Sequence, residues 1–272
     1  VRKRTVAAAV LVPFAAWWTL QRPSNSRDWT PDNARVPTAE FRGSAVHVRN
    51  VRNADYRTPQ DYTVRWENRD YDLDAVRRAW YLVEPFGKSW RGPAHTLVSF
   101  EFDDGRFLAV SAEIRKEQGE SFSPVKGLLR QYEMIYVVAD ERDVVRLRTN
   151  FRRDPVYLYP VKADRRQVRA LLVDMLTRAN ELAAHPEFYN TLTNTCTTSI
   201  ARHVNRIAPH KVPWSWKVMF PGYSDRLAYD LGLIDTDLPF DAARARFHVN
   251  GRAMRFADSP DFSRLIRQAD GG

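Results

Sequence analysis

A single cysteine, Cys196, stands among 272 residues, and that scarcity removes two classes of protein at once. Neither an internal disulfide framework nor a zinc site built from several thiolates can exist here. Lysine is also scarce: 35 of the 42 cationic side chains are Arg and only 7 are Lys, so guanidinium groups carry most of the net charge of +9. An arginine excess suits the gripping of phosphates, and it equally suits a genome whose codons favour Arg. Nucleic-acid recognition asks for a basic stripe, a helix-turn-helix signature or ribonucleoprotein-type aromatics. None is present, acidic residues alternate with basic ones almost throughout, and no nucleic-acid partner is expected. Repeats and low-complexity tracts are missing too. With 44% hydrophobic and 12% aromatic residues, the chain has ample material for one globular core.

Only one long apolar run occurs, and it lies at the front. Val1-Arg-Lys-Arg4 is basic, and TVAAAVLVPFAAWWTL, Thr5 to Leu20, is uncharged. A helix over it would be about 24 Å long, slightly short of a hydrocarbon core of about 30 Å. Residues 1–22 are therefore expected to be a membrane anchor or a signal segment, with a buried soluble helix as the other reading. No good A-x-A cleavage site follows, Trp17 and Trp18 sit where an interfacial belt belongs, and the basic cluster precedes the apolar run. That arrangement puts the N-terminus in the cytoplasm and the rest of the chain at the periplasmic face of the inner membrane. Residues 23–40, rich in Pro, Ser, Asn and charges, are expected as an extended tether, and residues 41–272 as one domain.

Within that domain RGSAVHVRNVRN alternates as a strand does, and the text from Tyr62 onward is dense in aromatic and β-branched residues. The clearest hairpin joins PAHTLVSFEF to RFLAVSAEIRKE through Asp103-Asp104-Gly105, where Gly supplies the left-handed position of a three-residue turn. IYVVADE, VVRLRTNF and VYLYPVK suggest further strands. The period then changes: Val168, Leu171, Leu172, Met175, Leu176, Ala179 and Leu182 form one helical stripe ending before Pro186. A second helix starts at Asn194 or Thr195, both good N-caps, and runs through Ile200 and Val204. Beyond it, short helices and loops continue the same domain.

A helix start at 194 or 195 puts Cys196 in the first turn, where free N–H groups and the helix dipole stabilise a thiolate. The threonine- and asparagine-rich surroundings suit an ionising sulfur, although a buried, unreactive thiol also fits. Of the six histidines, His203 is two turns along the same helix and out of reach. His185, in a loop before Pro186, suits capping or solvent, and His47, His210 and His248 read as structural. His95, opening the first hairpin strand after Gly92-Pro93, is the candidate base. A three-residue turn pairs Phe102 with Arg106 and sets His95 opposite Glu113, which could orient the imidazole; a two-residue turn would point Glu113 the other way. Candidate oxyanion donors are the Cys196 backbone N–H, Asn194 and Tyr189, with capping and core packing as the competing jobs of the last two. Arg115, on the same strand face as Glu113, could meet a lipid phosphate or form a surface ion pair.

RDWTPDNARVP, NVRNADYRT, PAHTLVSFEF, SAEIRKEQGESFSP, VADERDVVRLRTNFR and above all FYNTLTNTCTTSI resemble the Lnb N-terminal periplasmic domain family, over about residues 27 to 260. The resemblance implies an α+β fold: a permuted, papain-like (NlpC-type) domain, its antiparallel sheet packed against helices, with the His strand before the Cys helix; the N-terminal membrane helix expected from the apolar run would precede it. It also implies a lipoprotein N-acyltransferase-like activity, with Cys196 as the acyl-accepting nucleophile and His95 as its base. Phospholipid would be the acyl donor and a lipoprotein amine the acceptor, with no metal and no organic cofactor required. The same fold hosts cell-wall peptidases and amidases, and a non-catalytic envelope-binding module is the third expectation.

Overall fold

The computed structural model describes residues 13, 16–87, 91–209 and 211–268. Most of the expected anchor (residues 1–12, 14 and 15) lies outside the described residues, as does His210. Residues 16–20 are helical. Among the described residues no helix is long and apolar enough to cross a membrane.

Eight strands form one sheet: β1 (Thr38–Arg42), β2 (Ala45–Tyr56), β3 (Tyr62–Asp72), β4 (Val76–Pro85), β5 (Ala94–Phe102), β6 (Phe107–Arg115), β7 (Glu133–Ala139) and β8 (Tyr157–Pro160). Their order is β1-β2-β7-β6-β5-β4-β8, with β3 pairing β2. All pairs are antiparallel except β2 with β7. The helices that position the site are α1 (Pro124–Leu128), α2 (Glu141–Arg146), α3 (Arg165–Ala184), α4 (Cys196–Ile207), α5 (Trp216–Met219) and α6 (Ser224–Asp230). Both faces of the sheet are covered. Tyr81, Val98, Phe100 and Val110 pack under α3 and α4 on one face, while Trp80, Leu82, Leu97 and Ala109 pack under α2 and the C-terminal helices on the other. The result is a mixed α+β unit with the sheet as its middle layer.

α3 buries the seven residues that the 3.6-residue period selects, Val168 through Leu182. A capping box closes its start: Asp164 accepts from the Gln167 N–H, and the Gln167 side chain accepts from the Asp164 N–H.

Two expectations need correction. VVRLRTNF is not a strand: Asp140 caps α2, and the chain continues as a π-helical turn over Leu147–Arg152. The apolar–polar alternation there places charges that are buried and paired. Asp143 takes the Arg52 Nε and Nη2 at 2.8 and 3.0 Å, the Ala54 N–H and the Tyr56 hydroxyl, and so pins α2 to β2. Nor do residues 23–40 form a free tether. Trp29 and Asn33 are buried, Asn25 bonds the carbonyls closing α3, and β1 itself begins at Thr38.

Arg115 is the clamp for that segment. Its Nε donates to the Asn33 carbonyl, Nη1 to Asn25 Oδ1 and Nη2 to the Ala34 carbonyl, and it lies over the Trp29 ring at 4.2 Å. Burial pushes its pKa down to about 10. A guanidinium only 2% exposed, with its donors engaged, meets neither a lipid phosphate nor a surface carboxylate.

Candidate functional site

The hairpin has the three-residue turn. Gly105 adopts φ +82°, Phe102 N–H donates to the Arg106 carbonyl, and the pairs Glu101–Phe107 to Val98–Val110 keep the register that sets His95 opposite Glu113. Pairing then stops. β5 continues back to Ala94 and β6 on to Arg115, but neither bonds the other beyond Val98 and Val110. The strands part, and the start of α4 meets both of them at that opening.

Threonines build this helix start. Thr195 is the N-cap: its hydroxyl accepts from the Thr198 N–H at 3.2 Å, while Thr198 Oγ1 accepts from the Thr195 N–H at 2.7 Å. Thr197 reaches across to β5, its hydroxyl 3.0 Å from that of Thr96. Cys196 is thus the first helical residue, 6% exposed, and its N–H has no intrahelical acceptor. Asn194 lies just outside the helix, its amide donating to the Phe188 carbonyl and its oxygen accepting from Arg202.

His95 and Cys196 lie near enough to shift each other's pKa, the imidazole lowering that of the thiol and the thiolate raising that of the imidazole. His95 Nε2 lies 2.7 Å from Ser111 Oγ, and Ser111 donates to Glu113 Oε1 at 2.9 Å; the direct Nε2–Oε1 separation is 3.4 Å. Since the Ser111 proton goes to Glu113, its oxygen accepts from His95, which fixes a proton on Nε2. Glu113 therefore works largely through a serine that sequence reasoning missed. Its only sequence signal was alternation: Ser111 is two residues before Glu113, on the same strand face.

Electrostatics favour an ion pair. Burial alone would push the Cys196 thiol up; the charge and hydrogen bond of His95, with side-chain and backbone bonds from Thr96, pull it down to about 7. Thr96 is a second residue that the sequence did not reveal, and its N–H is available because β5 has left β6. Burial and the Arg148 charge push His95 down, yet the Cys196 thiolate and Glu113 outweigh them and its pKa stands at about 9. Burial would raise Glu113, but His95, Arg148 and Arg52 hold it well below the usual carboxylate range. Arg148 donates to Glu84 at 2.6 Å and to Glu113 at 3.2 Å from the π-helical turn behind the strands.

Tyr189 is buried near the sulfur. Burial and the Cys196 thiolate both raise its pKa. Of the other histidines, His203 is held between Tyr136 and Asp174, each 2.6 Å away, and His47 pairs with Asp70. Among the described residues no cluster of His, Cys, Asp and Glu is arranged to hold a metal ion.

The loop leading into β5 is fixed by a close approach. Gly222 N–H donates to the Gly92 carbonyl, Arg91 bonds Asp225, and a β-carbon at 222 would fall on the Arg91 carbonyl. Gly222→Ala is expected to lower stability by about 1–3 kcal/mol in urea denaturation. It should also raise the pH midpoint of Cys196 alkylation, because His95 lies four residues beyond the displaced backbone. A variant matching the parent in both measurements would show that this contact does not position β5.

A family model, that of the Lnb N-terminal periplasmic domain, matches residues 62–222, more than half of the chain. The match contains His95, Ser111, Glu113, Arg148 and Cys196. No curated protein matches, and no solved structure does.

Proposed function

The chain belongs to the Lnb N-terminal periplasmic domain family, and from that membership we propose that it is a periplasmic, cysteine-dependent acyltransferase of permuted papain-like architecture. It moves an acyl chain from a phospholipid to an amine, with the N-terminal cysteine of a lipoprotein as the acceptor. The observation that carries this reading is a buried thiol at the first turn of α4, close to an imidazole that Ser111 and Glu113 orient, with the thiol pKa lowered to about 7 and that of the imidazole raised to about 9. At neutral pH that pair is a nucleophilic thiolate beside a general acid.

Cys196 Sγ attacks the ester carbonyl, forming a C–S bond. His95 gives its proton to the departing glycerol oxygen as the C–O bond breaks, so a lysophospholipid leaves and a thioester remains. His95, now neutral, takes a proton from the attacking amine; the C–N bond forms, the C–S bond breaks, and the thiolate–imidazolium pair is restored. The oxyanion is stabilised by the Cys196 N–H and by the Tyr189 hydroxyl. Asn194, engaged with Phe188 and Arg202, holds the loop before the helix. Ser111 and Glu113 keep the imidazole oriented.

The wall beside Thr197 supports an acyl substrate over a peptide, because it is lined almost wholly by apolar side chains. Trp214, Trp216 and Phe220 stand exposed on the segment whose Val212 and Val218 belong to that wall, which favours a bilayer as the source of the donor. The apolar run Thr5–Leu20 would keep the domain there.

The test is incubation of the full chain with a phospholipid carrying isotope-labelled acyl chains, followed by intact and peptide mass spectrometry. A labelled acyl adduct on Cys196, discharged by an amine and absent from Cys196→Ala, is expected. If iodoacetamide alkylates Cys196 rapidly at pH 7 but no phospholipid acylates it, the acyltransferase reading fails and a peptidase or amidase using the same dyad takes its place.

A further inference from the structure

Beside the thiol lies a cavity of about 330 Å³. Thr197, Ile200, Ala201, Val204, Ile207 and Ala208 line it, the i, i+3, i+4, i+7, i+10, i+11 positions of one helix face. The cavity therefore runs along α4. Cys196 itself is not part of the lining, but its Sγ lies 3.8 Å from the Thr197 hydroxyl, so one end of the cavity comes close to the sulfur. Ala208 is eleven residues on, about 16 Å further along the axis at the helical rise of 1.5 Å per residue.

Polar groups collect at the two ends. Near the thiol are Tyr81, which feels the Cys196 charge, and Ser224, 2.7 Å from the Tyr81 hydroxyl. Gln167 and Lys162 mark the other end. The direction follows from β5: Thr197 meets Thr96 near its start, whereas Arg165, opening α3, pairs with Asp103 just past its end. Between the ends Leu171, Leu227 and Ala228 complete an apolar wall. A peptide laid there would leave amide groups without partners, whereas a hydrocarbon chain needs none and gains from leaving water. The volume has room for about ten groups of water's size.

We propose that this cavity holds the acyl chain carried by Cys196, laid along α4 with its methyl end toward Ala208, and that Ala201 and Val204 set the chain length accepted. This inference rests on the acyl-transfer reading of the site. Ala201 stands one helical turn past Thr197, and its methyl group leaves space where a larger side chain would close the channel behind the first few methylenes.

Ala201→Phe and Val204→Trp are compared with the parent full chain, using dipalmitoyl and dibutyryl phosphatidylethanolamine in detergent micelles. The rate of each adduct on Cys196 is followed by mass spectrometry. The palmitoyl-to-butyryl rate ratio is expected to fall at least tenfold in Ala201→Phe and by less in Val204→Trp, one turn deeper. A ratio unchanged in both variants overturns the proposal. If either variant fails to fold, Cys196→Ala decides the matter: it should bind a fluorescent palmitate analogue saturably, displaced by palmitate and not by butyrate. No such binding overturns the proposal as well. If the parent chain accepts neither acyl group, the acyl-transfer reading falls separately, and palmitate binding still decides what the cavity holds.

Discussion

Replacing His95 by alanine is expected to move the pH midpoint of Cys196 alkylation from about 7 to 9 or above. Burial by itself raises the thiol, and the imidazole is the largest influence that lowers it. With a midpoint of 7 most of the sulfur is thiolate at pH 7.5; with a midpoint of 9 only a few per cent is, so alkylation at that pH should fall roughly 25-fold. Acyl transfer should fall further, by about 10²–10⁴-fold, because the proton donor to the leaving oxygen is lost as well. The parent's dependence on pH separates these two roles. Alkylation needs only the thiolate, so it rises through about 7 and stays level. Acylation needs the thiolate and a protonated His95, so it rises through about 7 and falls through about 9. In His95→Ala the descending limb should vanish. A variant whose alkylation midpoint remained near 7 would show that the helix start alone ionises the thiol, and the role given to His95 would be lost.

Much of this was legible in the sequence wherever a local rule dominates. The stripe Val168 to Leu182 is amphipathic at helical period, and one long helix with one buried face is its only economical outcome. The DDG turn carries its own register, because Gly105 supplies the positive φ that three residues need, and that register fixed which carboxylate stands opposite His95. Illegibility began where tertiary pairing overrides alternation. VVRLRTNF alternates like a strand, yet Arg52 and Glu84, more than 60 residues earlier in the chain, supply the partners that let Asp143 and Arg148 be buried on a helix. Arg115 looked like a surface cation for the same reason, since its acceptors are backbone carbonyls of a segment whose composition suggested a tether. Ser111 gave no signal beyond alternation with Glu113, and Thr96 gave none, because their roles depend on β5 and β6 parting, which no turn residue announces. The parting is also what admits the tip of α4. A fully paired hairpin would have bonded the Thr96 N–H within the sheet and left the sulfur on one face, with the imidazole on the other.

Arg148→Ala should be the most destabilising substitution in the site. The guanidinium lies between Glu84, which is fully buried, and Glu113, and also bonds the Val144 carbonyl at 2.7 Å. One Glu84 oxygen already lacks a hydrogen-bond partner, with Arg152 no nearer than 3.6 Å. Removing Arg148 strands negative charge in the interior, which costs about 3–5 kcal/mol for a broken buried pair. The sign of the pH dependence follows from Glu113. Its folded pKa is depressed, so in the parent its contribution is present above about 4.5 and is lost as the pH falls through the folded value. In the variant one of the charges depressing it is gone, so that contribution shrinks, and Glu113 takes up its proton at a higher pH than in the parent. The two stability curves should therefore lie furthest apart near pH 8 and converge toward pH 5 in urea denaturation. Arg148→Lys, which keeps the charge and loses the fork, should fall between them. A deficit below about 1 kcal/mol, or one that does not change with pH, would mean that water reaches these carboxylates in the folded protein, and the dry ionic backing given to His95 would have to be abandoned.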